Sequence, residues 1–297
     1  MNITIAGGSG FLGTLLSQYF SARGHQILIL SRNPKAANEI YWTGHYNSKW
    51  VDQIQNTDIL INLSGKSVDC RYTDKNKKLI IDSRITPTMA LHKAIAEKKI
   101  RPKIWFNASS ATIYVHAETQ HMTEKDGVIG DDFSMNVCKK WEEAFFSTAY
   151  PEIRHVALRT SIVLGKKGGA FKKLKPLVRF GLGGHQGRGD QKMSWIHEDD
   201  FCRAIDFIIE NEKLSGPINV TAPNPVINRT FMKELRKKMG SPIGIPQPTW
   251  MLEVGAALIG TETELLLKSR FVSPKKLIQS GFNFSSPDLD SCLTKLT

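Results

Sequence analysis

The feature that most constrains this chain is Gly7-Gly8-Ser9-Gly10-Phe11-Leu12-Gly13, which follows an apolar run over residues 3–6. The run reads as a short buried strand, and residues 11–20 carry apolar side chains at helical spacing, so the glycines occupy a strand-to-helix turn. Gly7 can take the backbone angles a tight turn needs, Gly10 lets the chain approach a pyrophosphate, and Gly13 lets the helix pack near the strand. The unpaired N–H groups and the positive end of that helix then face a phosphate. A dinucleotide site on Gly7, Ser9, Gly10, Phe11, Leu12 and Gly13 is the expectation.

Residues 26–30 read as a second strand, and Ser31-Arg32-Asn33-Pro34 follows at its carboxyl end. An acidic residue there would accept hydrogen bonds from a ribose 2′-hydroxyl, whereas Arg32 offers a planar cation suited to a 2′-phosphate. NADP(H) is therefore the expected cofactor. A third strand over residues 58–63 opens into Ser64-Gly65, which places Leu63, Ser64 and Gly65 along the adenosine half. Residues 75–96 read as a helix interrupted near Thr86-Pro87, and residues 104–108 as a fourth strand with Ser109 and Ser110 at its end, where ligands gather in such sheets. Residues 134–148 form an amphipathic helix and residues 155–163 the next strand.

This alternation predicts an α/β fold with a doubly wound parallel sheet. After Leu164 the rhythm changes: residues 165–189 are rich in Gly and Lys, residues 218–221 look like a late strand, and helices are expected over 230–239 and 249–267. The expected division is a dinucleotide-binding domain over residues 1–164, completed by a strand near 217–222, and a smaller substrate lobe over residues 165–297.

With 41% hydrophobic and 23% charged residues, 297 residues bury a large core as one long domain or two unequal ones. No apolar stretch approaches the ~20 residues of a membrane span, and the glycine turn lies where a leader would, so a soluble cytoplasmic chain is expected. Cys70, Cys138, Cys202 and Cys292 show neither C-x-x-C nor a histidine at ligand spacing, so free thiols and no metal are expected. The net charge of +12 is concentrated at Lys166, Lys167, Lys172, Lys173, Lys175 and Arg179 and at later basic groups. The lysines are not interleaved with exposed aromatics, and no helix-turn-helix, RNA-recognition or zinc-finger pattern is visible, which argues against nucleic acid. An anionic small molecule accounts for the charge, and so does a solvated basic face. His197-Glu198-Asp199-Asp200 reads as a capped helix start before the periodic run 201–209, with Trp195 and His197 as candidates to face the cleft.

Gly7-x-x-Gly10-x-x-Gly13 resembles the variant used by extended short-chain dehydrogenases/reductases. The chain resembles, more narrowly, the NAD(P)-dependent epimerase family proteins also labelled cell-division-inhibitor-like, a nucleoside-diphosphate-sugar epimerase subgroup. The narrower likeness rests on Asn62-Leu63-Ser64-Gly65, Ser109-Ser110-Ala111-Thr112-Ile113-Tyr114, Trp141-Glu142, Leu158-Arg159-Thr160, Gly181-Leu182-Gly183-Gly184, Ser194-Trp195-Ile196-His197 and Ala222-Pro223-Asn224-Pro225. It implies NADP- or NAD-dependent oxidation or reduction at a carbinol carbon of a small molecule, used transiently in epimerisation. It also implies three working residues: a Ser or Thr ending the fourth strand, matched by Ser110, a Tyr that exchanges the proton, and a Lys four residues later that lowers the Tyr's pKa.

That last pair is missing. Alignment on Glu142 puts Ser134 and Cys138 at the two positions. Ser110 and Tyr114 are then the candidate catalytic residues. Tyr114, followed four residues later by Glu118 and by no cation, is expected to titrate near about 10 and to act as an acid. Arg159, Trp195 and His197 are the candidate substrate residues. The competing reading is a non-catalytic NADP(H) sensor, supported by the missing pair.

Overall fold

A computed structural model describes residues 1–97, 99–260 and 262–297. The chain runs β1 (Asn2–Ala6), α1 (Phe11–Ser21), β2 (Gln26–Ser31), β3 (Glu39–Tyr41), α2 (Ser48–Val51), β4 (Ile59–Asn62), α3 (Asp74–Ala96), β5 (Ile104–Ser110), α4 (Phe133–Phe146) and β6 (Arg154–Thr160). Then come β7 (Ile162–Leu164), α5 (Gly169–Arg179), β8 (Lys192–Met193), β9 (Trp195–His197), α6 (Glu198–Glu210), β10 (Gly216–Val220), β11 (Val226–Ile227) and α7 (Asn228–Lys238). The last helices are α8 (Thr249–Ile259), α9 (Glu264–Leu267), α10 (Lys275–Gln279) and α11 (Leu289–Leu296).

Successive side chains of a strand point to opposite faces, and here both sets are apolar. Ile3, Ile5, Ile59, Ile61, Phe106 and Leu158 join one core with Leu16 and Phe20 of α1 and Phe201, Ile205 and Ile208 of α6. Ala6, Leu60, Trp105 and Ala157 join the other with Leu91 and Ile95 of α3 and Phe145 of α4. A sheet covered on both faces is the setting in which parallel strands occur. The seven strands pair in parallel in the order β10-β6-β5-β4-β1-β2-β3. The order reverses at β1, which brings the glycine turn and the carboxyl ends of β4 and β5 to one crevice.

The expected doubly wound sheet is present, with local differences. Pro87 does not interrupt α3: its ring is buried, and Gly44 makes room for it, since a Cβ there would stand 3.2 Å from Pro87 Cγ. Packing outweighs the lost helix bond. The expected strand over 155–163 is two strands, because Ser161 N–H donates to Val220 O and the chain then leaves the main sheet, so that β7 pairs with β9. The expected helix over 249–267 is α8 and α9, parted after Ile259 where Gly260 turns left-handed at φ 72°. α5 was hidden by the Gly- and Lys-rich composition around it, although Phe171, Leu174 and Val178 keep helical spacing on its buried side. No described helix is long and apolar enough to cross a membrane.

Candidate functional site

The glycine turn is shaped by close approaches. Gly7, at φ 72°, donates its N–H to Leu30 O, and a Cβ on it would stand 2.8 Å from Ser64 Cα. A Cβ on Gly13 would run into the backbone of Gly8, so the glycine lets α1 start against the turn. Gly10 differs: a Cβ there would meet nothing within 4 Å. It precedes the first residue of α1, and no side chain caps that end. The result is an uncapped helix N-terminus with open space before it, the geometry that receives a phosphate.

Two cavities flank the turn. One, of about 400 Å³, is lined by Ser9 and Thr14 on one side and by Ser31, Arg32, Asn33 and Lys35 beyond β2 on the other. Arg32 is exposed there, and the Glu39 carboxylate on the same rim is held by the Lys35 N–H at 2.9 Å. The other, of about 500 Å³, runs from Gly7, Gly10, Phe11, Leu12 and Gly13 past Leu63 and Gly65 to Ser109 and Ser110 at the end of β5. Ser64 is the exception among the expected cofactor residues: it is buried behind Gly7 and lines neither cavity. The Phe11 ring reaches into the later part of the chain, where Cβ atoms at Gly165, Gly168 and Gly169 would all collide with it. Glycine at these positions leaves room for that ring.

Ser134 and Cys138 both line the larger cavity, one helical turn apart on α4. The Ser134 hydroxyl donates to Glu264 Oε1, and burial pushes the Cys138 thiol up to about 12, which keeps it neutral. Ser110 lines the cavity too, its Oγ accepting from Thr112 N–H at 3.1 Å and donating to Thr112 Oγ1 at 3.0 Å.

Other expected site residues lie elsewhere. Tyr114 is fully buried, turned away by a 3₁₀ turn over Ala111–Ile113; its hydroxyl donates to Asn219 Oδ1 at 2.8 Å and accepts from Arg159 Nη1 at 2.9 Å. Burial raises its phenol while Arg159 and Asn219 oppose the rise, so the expectation of an ordinary Tyr without a neighbouring cation fails on both counts. Tyr114 is therefore a core residue and not a proton donor in the cleft.

Arg159, expected at the substrate, lines neither cavity. Its Nε and Nη2 clasp Glu142 at 2.8 and 2.7 Å, both side chains being at most a tenth exposed. Burial works against the charge, but the Glu142 hydrogen bonds and carboxylate outweigh it and hold the guanidinium above its usual value. Ser109 donates to the same carboxylate at 2.6 Å, so the pair fixes the end of β5 against α4 and β6. Trp195 is fully buried with Phe171, Leu174 and Phe231. His197 is 3% exposed and accepts from Asp199 N–H at 3.1 Å, capping α6. Neither faces the cleft.

The cavity also holds residues that the sequence reading passed over. Tyr72 and Arg84 line it, Tyr72 against Phe133 at 4.8 Å between rings, Arg84 over Trp141 at 5.0 Å. A signal existed: Ile80, Arg84, Thr88 and Leu91 fall on one stripe of α3, and an arginine on a buried stripe is unusual. Among the described residues no group of His, Cys, Asp and Glu could hold a metal ion.

Residues 3–221 match the NAD dependent epimerase/dehydratase family. The chain belongs to that family. Residues 247–296 match a domain of unknown function, DUF1731. Among family members, the chain is 34% identical over 301 residues to the epimerase family protein YfhF of Bacillus subtilis (strain 168), covering 100% of this chain and 98% of that one. It is 33% identical over 297 residues to the epimerase family protein ML0860 of Mycobacterium leprae (strain TN), covering 99% and 95%. Its structure is similar to that of the human epimerase family protein SDR39U1 (isoform 2) with NADPH, with a TM-score of 0.88, 30% identity and coverage of 100% and 99%. UDP-N-acetylglucosamine 4-epimerase from Bacillus cereus, at a TM-score of 0.77 and 15% identity over 100% and 95%, shares the fold.

Proposed function

We propose that the chain binds NADP(H) across the glycine turn and carries out a reduction or oxidation at a carbinol carbon of a small molecule in the larger cavity. The observation that carries this reading is the open space before Gly10, at an uncapped helix start, with a cavity on either side. When bound, the dinucleotide supplies or accepts the hydride. The amides of residues 10–13 receive the pyrophosphate, Ser9 and Arg32 the 2′-phosphate end, and Leu63 and Gly65 flank the chain between the two cavities. Ser110 holds the substrate oxygen. The NADPH of the human relative supports the choice of cofactor.

On this reading residues 1–164 with β10 form the dinucleotide half, joined by α6, which packs with α1 on one face of the sheet, and the remainder of residues 165–297 forms the lobe that covers the substrate. The hydroxyl groups of Ser109 and Ser110 on the wall of the larger cavity, beyond the residues assigned to the cofactor, support catalysis over a pure sensor. Arg32 provides the test. A charge-assisted contact is worth about 1.5 to 3 kcal/mol, so Arg32→Ala weakens NADPH by roughly 10- to 100-fold in calorimetry and leaves NADH nearly unchanged. Equal losses for both cofactors refute the assignment.

A further inference from the structure

Protonating a substrate oxygen requires a donor, and the α4 positions offer none: the Ser134 hydroxyl is committed to Glu264 and the Cys138 thiol is buried. Tyr72 stands in the same cavity, on the connection from β4 to α3. Its backbone is fixed, since Tyr72 N–H donates to Glu262 Oε1 at 2.9 Å and its ring packs on Phe133. Its hydroxyl is buried and has no hydrogen-bond partner among the described residues. A buried phenol left unpaired is costly, and because Tyr72 lines the cavity, a ligand held there can supply the missing partner.

Arg84 lines that cavity as well. Nη1 donates to Ile80 O at 2.8 Å and to Lys66 O at 3.1 Å, while Nη2 makes no hydrogen bond to any described residue. Gly65 leaves the approach open, because a Cβ there would stand 3.1 Å from Arg84 Cζ. The fork is thus anchored by one nitrogen, with a second unengaged.

We propose that Tyr72 donates the proton to the substrate oxygen and that Arg84 holds the charge left on the phenol. A Tyr–Arg pair from the β4–α3 connection and α3 then replaces the Tyr–Lys pair that the family resemblance places on α4. The inference rests on the oxidoreductase reading above. In the step, the Tyr72 O–H bond breaks, an O–H bond forms on the substrate, the negative charge passes to the phenolate, and water returns the proton. Around the phenol, burial, then Glu264, Cys70 and Glu262 favour the neutral form, and Arg84 opposes them. Tyr72 therefore stays protonated at neutral pH, which suits reduction of a carbonyl or enone better than oxidation of an alcohol.

The test places 3,5-difluorotyrosine at position 72, whose more acidic phenol titrates while the protein is folded, and follows its ¹⁹F shift against pH. Arg84→Gln raises the midpoint by about one pH unit or more, Arg84→Lys by less, and Lys66→Met leaves it in place. Circular dichroism checks each fold. With 9,10-phenanthrenequinone as probe, Tyr72→Phe lowers NADPH-dependent turnover by about 10² to 10⁴ with the NADPH Kd unchanged. A midpoint indifferent to Arg84, or a Tyr72→Phe variant that turns the probe over at the parent rate, overturns the proposal. Loss of the cofactor reading would show separately, as failure of NADPH to bind in calorimetry.

Discussion

Two glycines three residues apart, Gly10 and Gly13, should answer the same kind of substitution in opposite ways. Gly10→Val puts a branched side chain into space where no atom lies within 4 Å, at a backbone angle of φ −84° that any residue adopts. The fold should lose no more than about 1 kcal/mol, the cost of a poor helix cap. The same side chain occupies the room that the phosphates need. Losing two charge-assisted hydrogen bonds of about 1.5 to 3 kcal/mol each weakens NADPH by roughly 10² to 10⁴ in Kd. Gly13→Ala drives one methyl group into the Gly8 backbone, which cannot step aside as a flexible side chain would. Overpacking of this kind costs about 1 to 3 kcal/mol, so this variant should unfold at lower urea concentration. Urea midpoints read the first quantity and calorimetry the second. An unaltered NADPH Kd in folded Gly10→Val would refute the site, and a fully stable Gly13→Ala would refute the packing argument.

Arg159→Met strands a buried Glu142 carboxylate and should cost about 3 to 5 kcal/mol in urea unfolding, with Glu142→Leu added to it restoring most of the loss. NADPH affinity should not move; a stable Arg159→Met variant would return Arg159 to the candidate substrate residues. Burial holds His92 and His197 below the usual histidine range, so protons bind the unfolded chain more readily. Stability is then full above about pH 6.5 and falls below it, by up to about 1.4 kcal/mol per pH unit for each histidine, and His92→Gln should flatten that slope. A urea midpoint constant from pH 7 to pH 5 would contradict this.

Six of the seven strands were legible because strand and helix segments alternate and both faces of the central strands are apolar, whereas β3, three residues long, gave no such signal. The placement of the turn glycines and of Arg32 beside the two cavities was legible for a related reason: local chain geometry fixes where a strand-end loop points. Tyr114 and Arg159 were not, since their direction depends on partners 105 and 17 residues away, Asn219 and Glu142. In sequence they look like polar residues at the ends of strands, the usual place for chemistry. Only the assembled packing shows that Arg159, Glu142 and Tyr114 satisfy one another beneath the cleft. Tyr72 was overlooked because a connection with no periodicity gives no hint of which side chain turns inward.

β10 closes the sheet on β6, yet more than fifty residues separate Thr160 from Gly216. A ribosome completes β6 well before it makes the strand that pairs with it. Throughout that interval the nascent chain presents a raw β-edge, a template for other chains. The last parallel pairing is also the one with the long loop to close, which is slow in folding terms. Chains cut short before residue 220 should therefore aggregate more readily than the full chain, the consequence of leaving an edge strand of the sheet to a late segment.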